Sequence, residues 1–315
     1  MGEKVRISVS TLFRLAGIIL MLMILSKIDW QYMRLSLKQF QIKYFLLVIP
    51  FFVLTIFIKS LRWFYIIKIQ GIRLSLFKSY LYYSASIFWG IITPGRLGEA
   101  IKIFYLKSHA VSAGKAALGV LIDRGMDLFF LTVLSVAGIM VILNYFSYTI
   151  FAMIILCMIF LLIITYWNKS IIANKIIKFL LFVIPNKYKD KVDLFMNEAK
   201  MDLLLFSWPK WIIITILTVL AWTCNIIPLY ILGKGLEIMV HPSMLITAIF
   251  LSFSISMLPI SFNGVGTRDA FLILYLGKAG ITEEKAILFS SMFIYMGIVD
   301  IFSSYISYTL KDTRC

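Results

Sequence analysis

Residues 44–58 read Tyr44-Phe45-Leu46-Leu47-Val48-Ile49-Pro50-Phe51-Phe52-Val53-Leu54-Thr55-Ile56-Phe57-Ile58, without one charged side chain. With Leu61 to Ile67 behind it, the stretch is long enough for an α-helix that crosses a bilayer, which takes ~20 apolar residues. Runs of the same kind recur at Leu12–Ile28, Leu128–Leu143, Tyr148–Trp167, Trp211–Gly233 and Ala286–Leu310, the last interrupted by Asp300. Two more segments, Tyr80–Leu106 and Pro242–Leu276, are apolar but broken by Pro and Gly.

Composition agrees. Of the 315 residues, 61% are hydrophobic and 15% charged, against ~25% charged in soluble domains. A soluble domain of this size would have to expose large apolar patches, and a bilayer removes that difficulty. The expected fold class is therefore an all-α polytopic membrane protein. Leu15–Leu25 after Lys4, Arg6 and Arg14 looks like a signal peptide, but Ser26-Lys27-Ile28-Asp29-Trp30 is not a small-residue cleavage site. It reads as an uncleaved first span.

The net charge of +16 would point to nucleic acid in a soluble chain. Here it marks cytoplasmic loops and attraction to anionic headgroups, and no nucleic-acid motif is present. Three cysteines make no disulfide framework, and His109 and His241 form no metal cluster. No cofactor is expected. There is no nucleophile triad, phosphate-loop lysine or nucleotide fingerprint, so the sequence does not read as an enzyme.

Charge also orders the spans. The segment Lys59–Lys78 holds Lys59, Arg62, Lys68, Arg73 and Lys78 with no acid, and Lys169–Lys210 is rich in lysine. Both are expected on the cytoplasmic side, so an even number of crossings separates them. The hairpin Leu128–Leu143 and Tyr148–Trp167 supplies two. Tyr80–Leu106 then supplies none, because the piece after Pro94-Gly95 is only about half a bilayer long at ~1.5 Å per residue. A re-entrant hairpin is the simplest solution. The same counting makes Pro242–Leu276 re-entrant from the other side, with a full span as its alternative. The expectation is about six full spans plus two re-entrant hairpins, both termini cytoplasmic, in the cell membrane. Residues 168–210 are expected as a cytoplasmic interfacial segment or an amphipathic loop helix packed on the bundle.

The two broken segments resemble each other. Glu99-Ala100-Ile101-Lys102-Ile103-Phe104-Tyr105-Leu106 aligns with Asp269-Ala270-Phe271-Leu272-Ile273-Leu274-Tyr275-Leu276. Pro94-Gly95-Arg96-Leu97-Gly98 precedes the first, and Gly264-Val265-Gly266-Thr267-Arg268 the second. Opposite topology and this match read as an inverted repeat within one membrane domain, 1–315, with halves 12–143 and 148–310.

These turns are the candidate binding residues. Broken backbone at membrane depth survives only where protein or a wet cavity satisfies it. A half-helix from Leu97 would present free N–H groups to an anion, and Arg96 adds a guanidinium suited to phosphate. Gly95, Gly98, Gly264 and Gly266 allow close backbone approach. Thr267 can cap the second half-helix, and Arg268 and Asp269 are isolated charges in an apolar segment. Glu99 pairs with Arg96 or lines a cavity. Asp123 and Asp127 share a helix face at i, i+4, so a cation must separate them, either Arg124 or another arginine. Asp300, inside the last span, is a candidate partner of Arg268.

Together with Asp123-Arg124 and Pro259, these motifs resemble the flippase-type membrane domain of lysylphosphatidylglycerol synthases and related stand-alone proteins. The resemblance implies movement of a lipid with a charged or phosphate headgroup between leaflets. Asp269 stands where that family more often has Glu. No aminoacyl-transferase domain follows in this sequence, so synthase activity is not implied. Membrane lipids, anionic or of polyprenyl-phosphate type, are the expected partners, and a homo-oligomer or a lipid-modifying enzyme partner is compatible with the pattern. Two alternatives stay open: an ion-coupled small-solute transporter, and a non-transporting subunit of a lipid-modifying or glycosylating system.

The topology is testable. In a chain freed of its native cysteines, Ser108→Cys and Lys278→Cys should react with an impermeant maleimide from opposite sides of the membrane. Labelling from the same side refutes the inverted pair.

Overall fold

The computed structural model describes residues 22–23, 26, 28–107, 109, 111–143, 198–199, 201–258 and 261–312. The expected span Tyr148–Trp167, most of Leu12–Ile28, residues 168–197 and Pro259 lie outside the described residues. Among those described, regular structure is helical: α1 (Trp30–Gln39), α2 (Ile42–Ile69), α3 (Leu76–Ile92), a 3-10 segment Pro94–Ile101, α4 (Lys102–Lys107), α5 (Ala113–Ile142), α6 (Trp208–Gly235), α7 (Pro242–Met257), α8 (Thr267–Gly277) and α9 (Glu283–Asp312).

Four of these, α2, α5, α6 and α9, are long and apolar enough to cross a membrane. Helix α2 joins the two runs on either side of Lys59 and Ser60 into one element. Its surface residues Leu46, Leu47, Val53, Leu54 and Phe57 are exposed, as are Ile212, Ile213, Ile216, Val219 and Leu220 of α6. Such faces would be a liability in water and are ordinary against lipid tails.

Helix lengths repeat along the chain. A 28-residue helix, a 17-residue helix, a left-handed turn, a short helical piece and a 30-residue helix (α2 to α5) are followed by 28, 16, a left-handed turn, 11 and 30 residues (α6 to α9). At ~1.5 Å per residue, α3 and α7 are about 24–26 Å long, shorter than the ~30 Å hydrocarbon core.

The chain forms two compact units, each drawing on both halves of the sequence. One contains residues 1–56, 84–99 and 221–315; the other contains 57–83 and 100–220. Aromatic rings fill the first. Phe253 meets Trp222 and Phe293 edge-on at 5.2 Å between centroids, and the Tyr295 hydroxyl donates to the Phe45 carbonyl at 2.9 Å. Helix α8 packs between α7 and α9. In the second unit, Ile66, Leu118, Ile122, Met126, Phe206, Trp211 and Ile214 form a buried cluster.

Lys59 and Arg62 correct the charge count made on the sequence. Both lie inside α2 and are buried, so only Lys68, Arg73 and Lys78 of that segment remain as loop or helix-end charges.

One glycine shows how tightly the turn after α7 is packed. Gly264 has φ +80°, and a Cβ there would overlap the Ser256 hydroxyl. Gly264→Ala should lower stability by about 1–3 kcal/mol through backbone strain and contact. Thermal unfolding in detergent measures it; adding Ser256→Ala should recover only the contact part.

Candidate functional site

The first broken turn begins where α3 stops at Ile92. Gly95 (φ 61°, ψ 17°) and Arg96 (φ 55°, ψ 28°) both adopt left-handed backbone. For arginine this costs about 1–3 kcal/mol and persists only where the surroundings enforce it. Thr93 does much of that. Its hydroxyl donates to the Trp89 carbonyl at 2.8 Å and accepts the Gly98 N–H at 2.6 Å. Gly98 lies so close to the Trp89 carbonyl that any Cβ would overlap it. Glu99 is 2% exposed and packs on Gly90, where a Cβ would stand 2.5 Å from its Cγ.

This geometry modifies the expected anion site. A half-helix from Leu97 is replaced by the 3-10 segment, α4 is only six residues long, and Thr93 already satisfies the Gly98 N–H. What remains for an anion is the Arg96 side chain. Its Nη1 lies 4.0 Å from Glu99 Oε1, and its side chain is 13% exposed. Among the described residues its guanidinium has no closer partner. Close to it in the chain, Trp89, Ile92 and Leu97 expose apolar side chains, Leu97 to 71%.

The second broken turn lies in the same compact unit. Asn263, Gly264 and Gly266 carry positive φ. The expected cap, Thr267, does not serve: its hydroxyl lies 2.8 Å from that of Ser261 and 3.3 Å from the Gly264 carbonyl. Asp269 takes the task, accepting the Gly266 N–H at 2.7 Å. Arg268 is held from several directions. Nε donates to the Ser290 hydroxyl at 2.8 Å and Nη1 to the Asn263 carbonyl at 3.2 Å. Nη2 lies 3.5 Å from Asp269 Oδ1, and the guanidinium carbon is 4.9 Å from the Phe293 ring centroid. The Ser290 hydroxyl also donates to Asp269. Arg268 and Asp269 are 1% and 2% exposed. Asp300 is half-buried in α9.

The third constellation lies in the other unit. Asp123 and Asp127 are fully buried, and the cation between them is Arg62. Its Nε and Nη2 donate to Asp123 Oδ1 at 2.9 and 2.7 Å, and Nη1 donates to Asp127 Oδ1 at 2.9 Å and to the Thr218 hydroxyl at 3.0 Å. Lys102 Nζ donates to Asp123 Oδ2 at 2.8 Å and lies 4.1 Å from the Tyr83 ring centroid and 5.6 Å from that of Trp63. Lys59 Nζ reaches Asp127 Oδ2 at 3.7 Å. Arg124, the other candidate cation, is half-buried beside them in sequence.

Sequence reasoning thus missed Arg62, Lys59 and Lys102 as members of one site, and Ser290 as the bridge at another. The signal was present for the cations, since isolated charges within apolar runs default to a structural or functional partner. For Ser290 there was none, because hydroxyls are ordinary in membrane helices.

The cluster makes a sharp prediction. Arg62→Gln should cost about 3–5 kcal/mol, because it removes the cation that bridges two buried carboxylates and leaves Asp123 to Lys102 and Asp127 to the more distant Lys59. Arg62→Lys should not rescue it, since one ammonium does not span both acids. Adding Asp127→Asn to Arg62→Gln should restore part of the loss. Thermal unfolding of the detergent-solubilised variants checks all three.

Comparison with known proteins agrees with this membrane architecture. The chain is 26% identical over 300 residues to a UPF0104 membrane protein of Methanocaldococcus jannaschii, covering 90% of this chain and 89% of that one. No solved structure matches. A family profile described as the lysylphosphatidylglycerol synthase transmembrane region matches residues 5–297. This multi-pass membrane protein therefore belongs to the lysylphosphatidylglycerol synthase transmembrane-region family.

Proposed function

We propose that the protein moves a lipid with a charged or phosphate-bearing headgroup between the leaflets of the cell membrane. The observation that carries this reading is Arg96. It sits in left-handed backbone at a broken hairpin, its guanidinium engaged among the described residues only by Glu99 at 4.0 Å, in a stretch where Trp89, Ile92 and Leu97 expose apolar side chains. A cation rimmed by apolar surface suits an amphiphile, with phosphate on the arginine and acyl chain alongside.

The repeating helix lengths support the rest of the scheme. Helices α3 and α7, shorter than the long helices on either side of them, each lead into a left-handed turn, which fits two re-entrant hairpins in inverted repeat. Arg96 contacts a headgroup in the conformation described. Arg268 contacts it in one where the second turn has opened, since it is otherwise occupied by Ser290 and Asn263. Gly95, Gly98, Gly264 and Gly266 let the backbone fold tightly at both turns. Glu99 and Asp269 hold the arginines, and the buried Asp123 and Asp127 set the charge of the other unit with Arg62.

Leaflet exchange of headgroup-labelled lipids in proteoliposomes tests the reading. Anionic, zwitterionic and polyprenyl-phosphate lipids are compared. The wild type should accelerate exchange of at least one phosphate-bearing class over empty vesicles. Arg96→Ala should slow it about tenfold or more, the loss of one charge-assisted contact. Equal rates with and without protein for every lipid overturn the proposal.

A further inference from the structure

Where α2 ends and α5 begins, the second unit contains a cleft of about 510 Å³ lined by Gln70, Arg73, His109, Ser112, Lys115 and Glu198. We infer that this cleft binds a phosphate-bearing anion, at a site that shares no residue with the two broken turns.

Its walls are built and its polar groups are largely spoken for. Gln70, 2% exposed, donates to the Lys115 carbonyl at 2.9 Å and to Asp202 Oδ2 at 3.1 Å, tying α2 to α5. The Ser112 hydroxyl donates to Glu198 Oε2 at 2.8 Å. Lys115 Nζ lies 3.5 Å from Asp202 Oδ1. Burial raises the Asp202 carboxyl above its ordinary range, and Lys115 pulls it back down. The Tyr82 hydroxyl meets His109 Nε2 at 2.9 Å. Glu198, the acid that lines the cleft, and Asp202 behind it therefore both have protein partners.

Arg73 does not. It is exposed, and among the described residues its guanidinium has neither an ion pair nor a hydrogen bond. A free bidentate cation thus faces a cleft whose one acid is already engaged. The start of the 30-residue α5 adds to it, because the first N–H groups of a helix, here those of Ala113 and Gly114, have no intrahelical acceptor. Gln70 Oε1, buried against Gly119, has no donor among the described residues. The volume falls in the usual range of ~300–1,000 Å³ for ligand clefts and suits a headgroup or a small phosphate, not a whole lipid.

Position favours such a ligand. The cleft lies at the end of two candidate spans, and its Arg73 belongs, with Lys68 and Lys78, to a stretch of sequence without acids. Anionic headgroups concentrate at such a surface, and free phosphate is drawn there by the same charge.

The test uses the full chain in detergent micelles and reads binding from the shift in thermal midpoint. The probes are dihexanoyl phosphatidic acid, dihexanoyl phosphatidylcholine and inorganic phosphate. Phosphatidic acid, inorganic phosphate or both should raise the midpoint, and Arg73→Gln should weaken that binding about tenfold while its unliganded midpoint stays that of the wild type. Lys78→Gln, which removes an exposed charge from the same basic stretch, should change it less than twofold. Binding of inorganic phosphate assigns the site to free anion, and binding of phosphatidic acid alone assigns it to a lipid headgroup. Equal weakening by Arg73→Gln and Lys78→Gln reduces the effect to general surface charge and overturns the proposal, as does the absence of any shift. Lipid exchange is not read, so the result stands apart from the translocation reading.

Discussion

Arg62 sets the terms for one whole unit of this protein. Two carboxylates one helical turn apart on α5 repel each other, and both are fully buried. A planar guanidinium is the side chain that can serve both at once, with three nitrogens donating to the acids and one of them also to Thr218. The bond network therefore fixes α2, α5 and α6 against one another in a setting where apolar packing alone supplies little drive for helix association. Lys102 brings the piece after the first broken turn into the same network through Asp123. Removing either side of such a pair costs far more than never having made it, so the network specifies position as much as it adds stability.

The two broken turns solve a different problem. Helical backbone that stops within an apolar surround leaves polar groups that nothing outside satisfies. At the first turn Thr93 supplies both a donor and an acceptor across the gap. At the second, Asp269 caps the new helix and Arg268 takes up the Asn263 carbonyl. The solutions differ in what they leave over. The second turn consumes its arginine in internal bonds, whereas the first keeps Arg96 loosely held. Two turns alike in sequence pattern are thus unlike in availability.

Much of this was legible in the residues. Long apolar runs identified α2, α6, α9 and the second half of α5, because backbone satisfaction in lipid leaves helices as the economical choice. Pro94-Gly95 and Gly264 to Gly266 located both interruptions, because left-handed backbone needs residues that tolerate it. The i, i+4 spacing of Asp123 and Asp127 required a cation. Charge counting along the chain included Lys59 and Arg62, which lie buried inside α2. A rule that counts lysine and arginine does not distinguish a loop residue from one paired inside a helix.

The sequence by itself determined that the chain is a bundle of membrane helices with two broken segments, since those features depend on local composition and backbone preference. Only the tertiary structure decided who partners whom. Arg62 lies 61 residues from Asp123 and 156 from Thr218, and Ser290 lies 21 from Asp269. Such pairings depend on which helix faces meet, and no local periodicity carries that information. The lack of a partner for Arg73 among the described residues, the engagement of Arg268 and the replacement of Thr267 by Asp269 as cap are of the same kind. Each follows from where every other hydrogen-bonding group has already been spent.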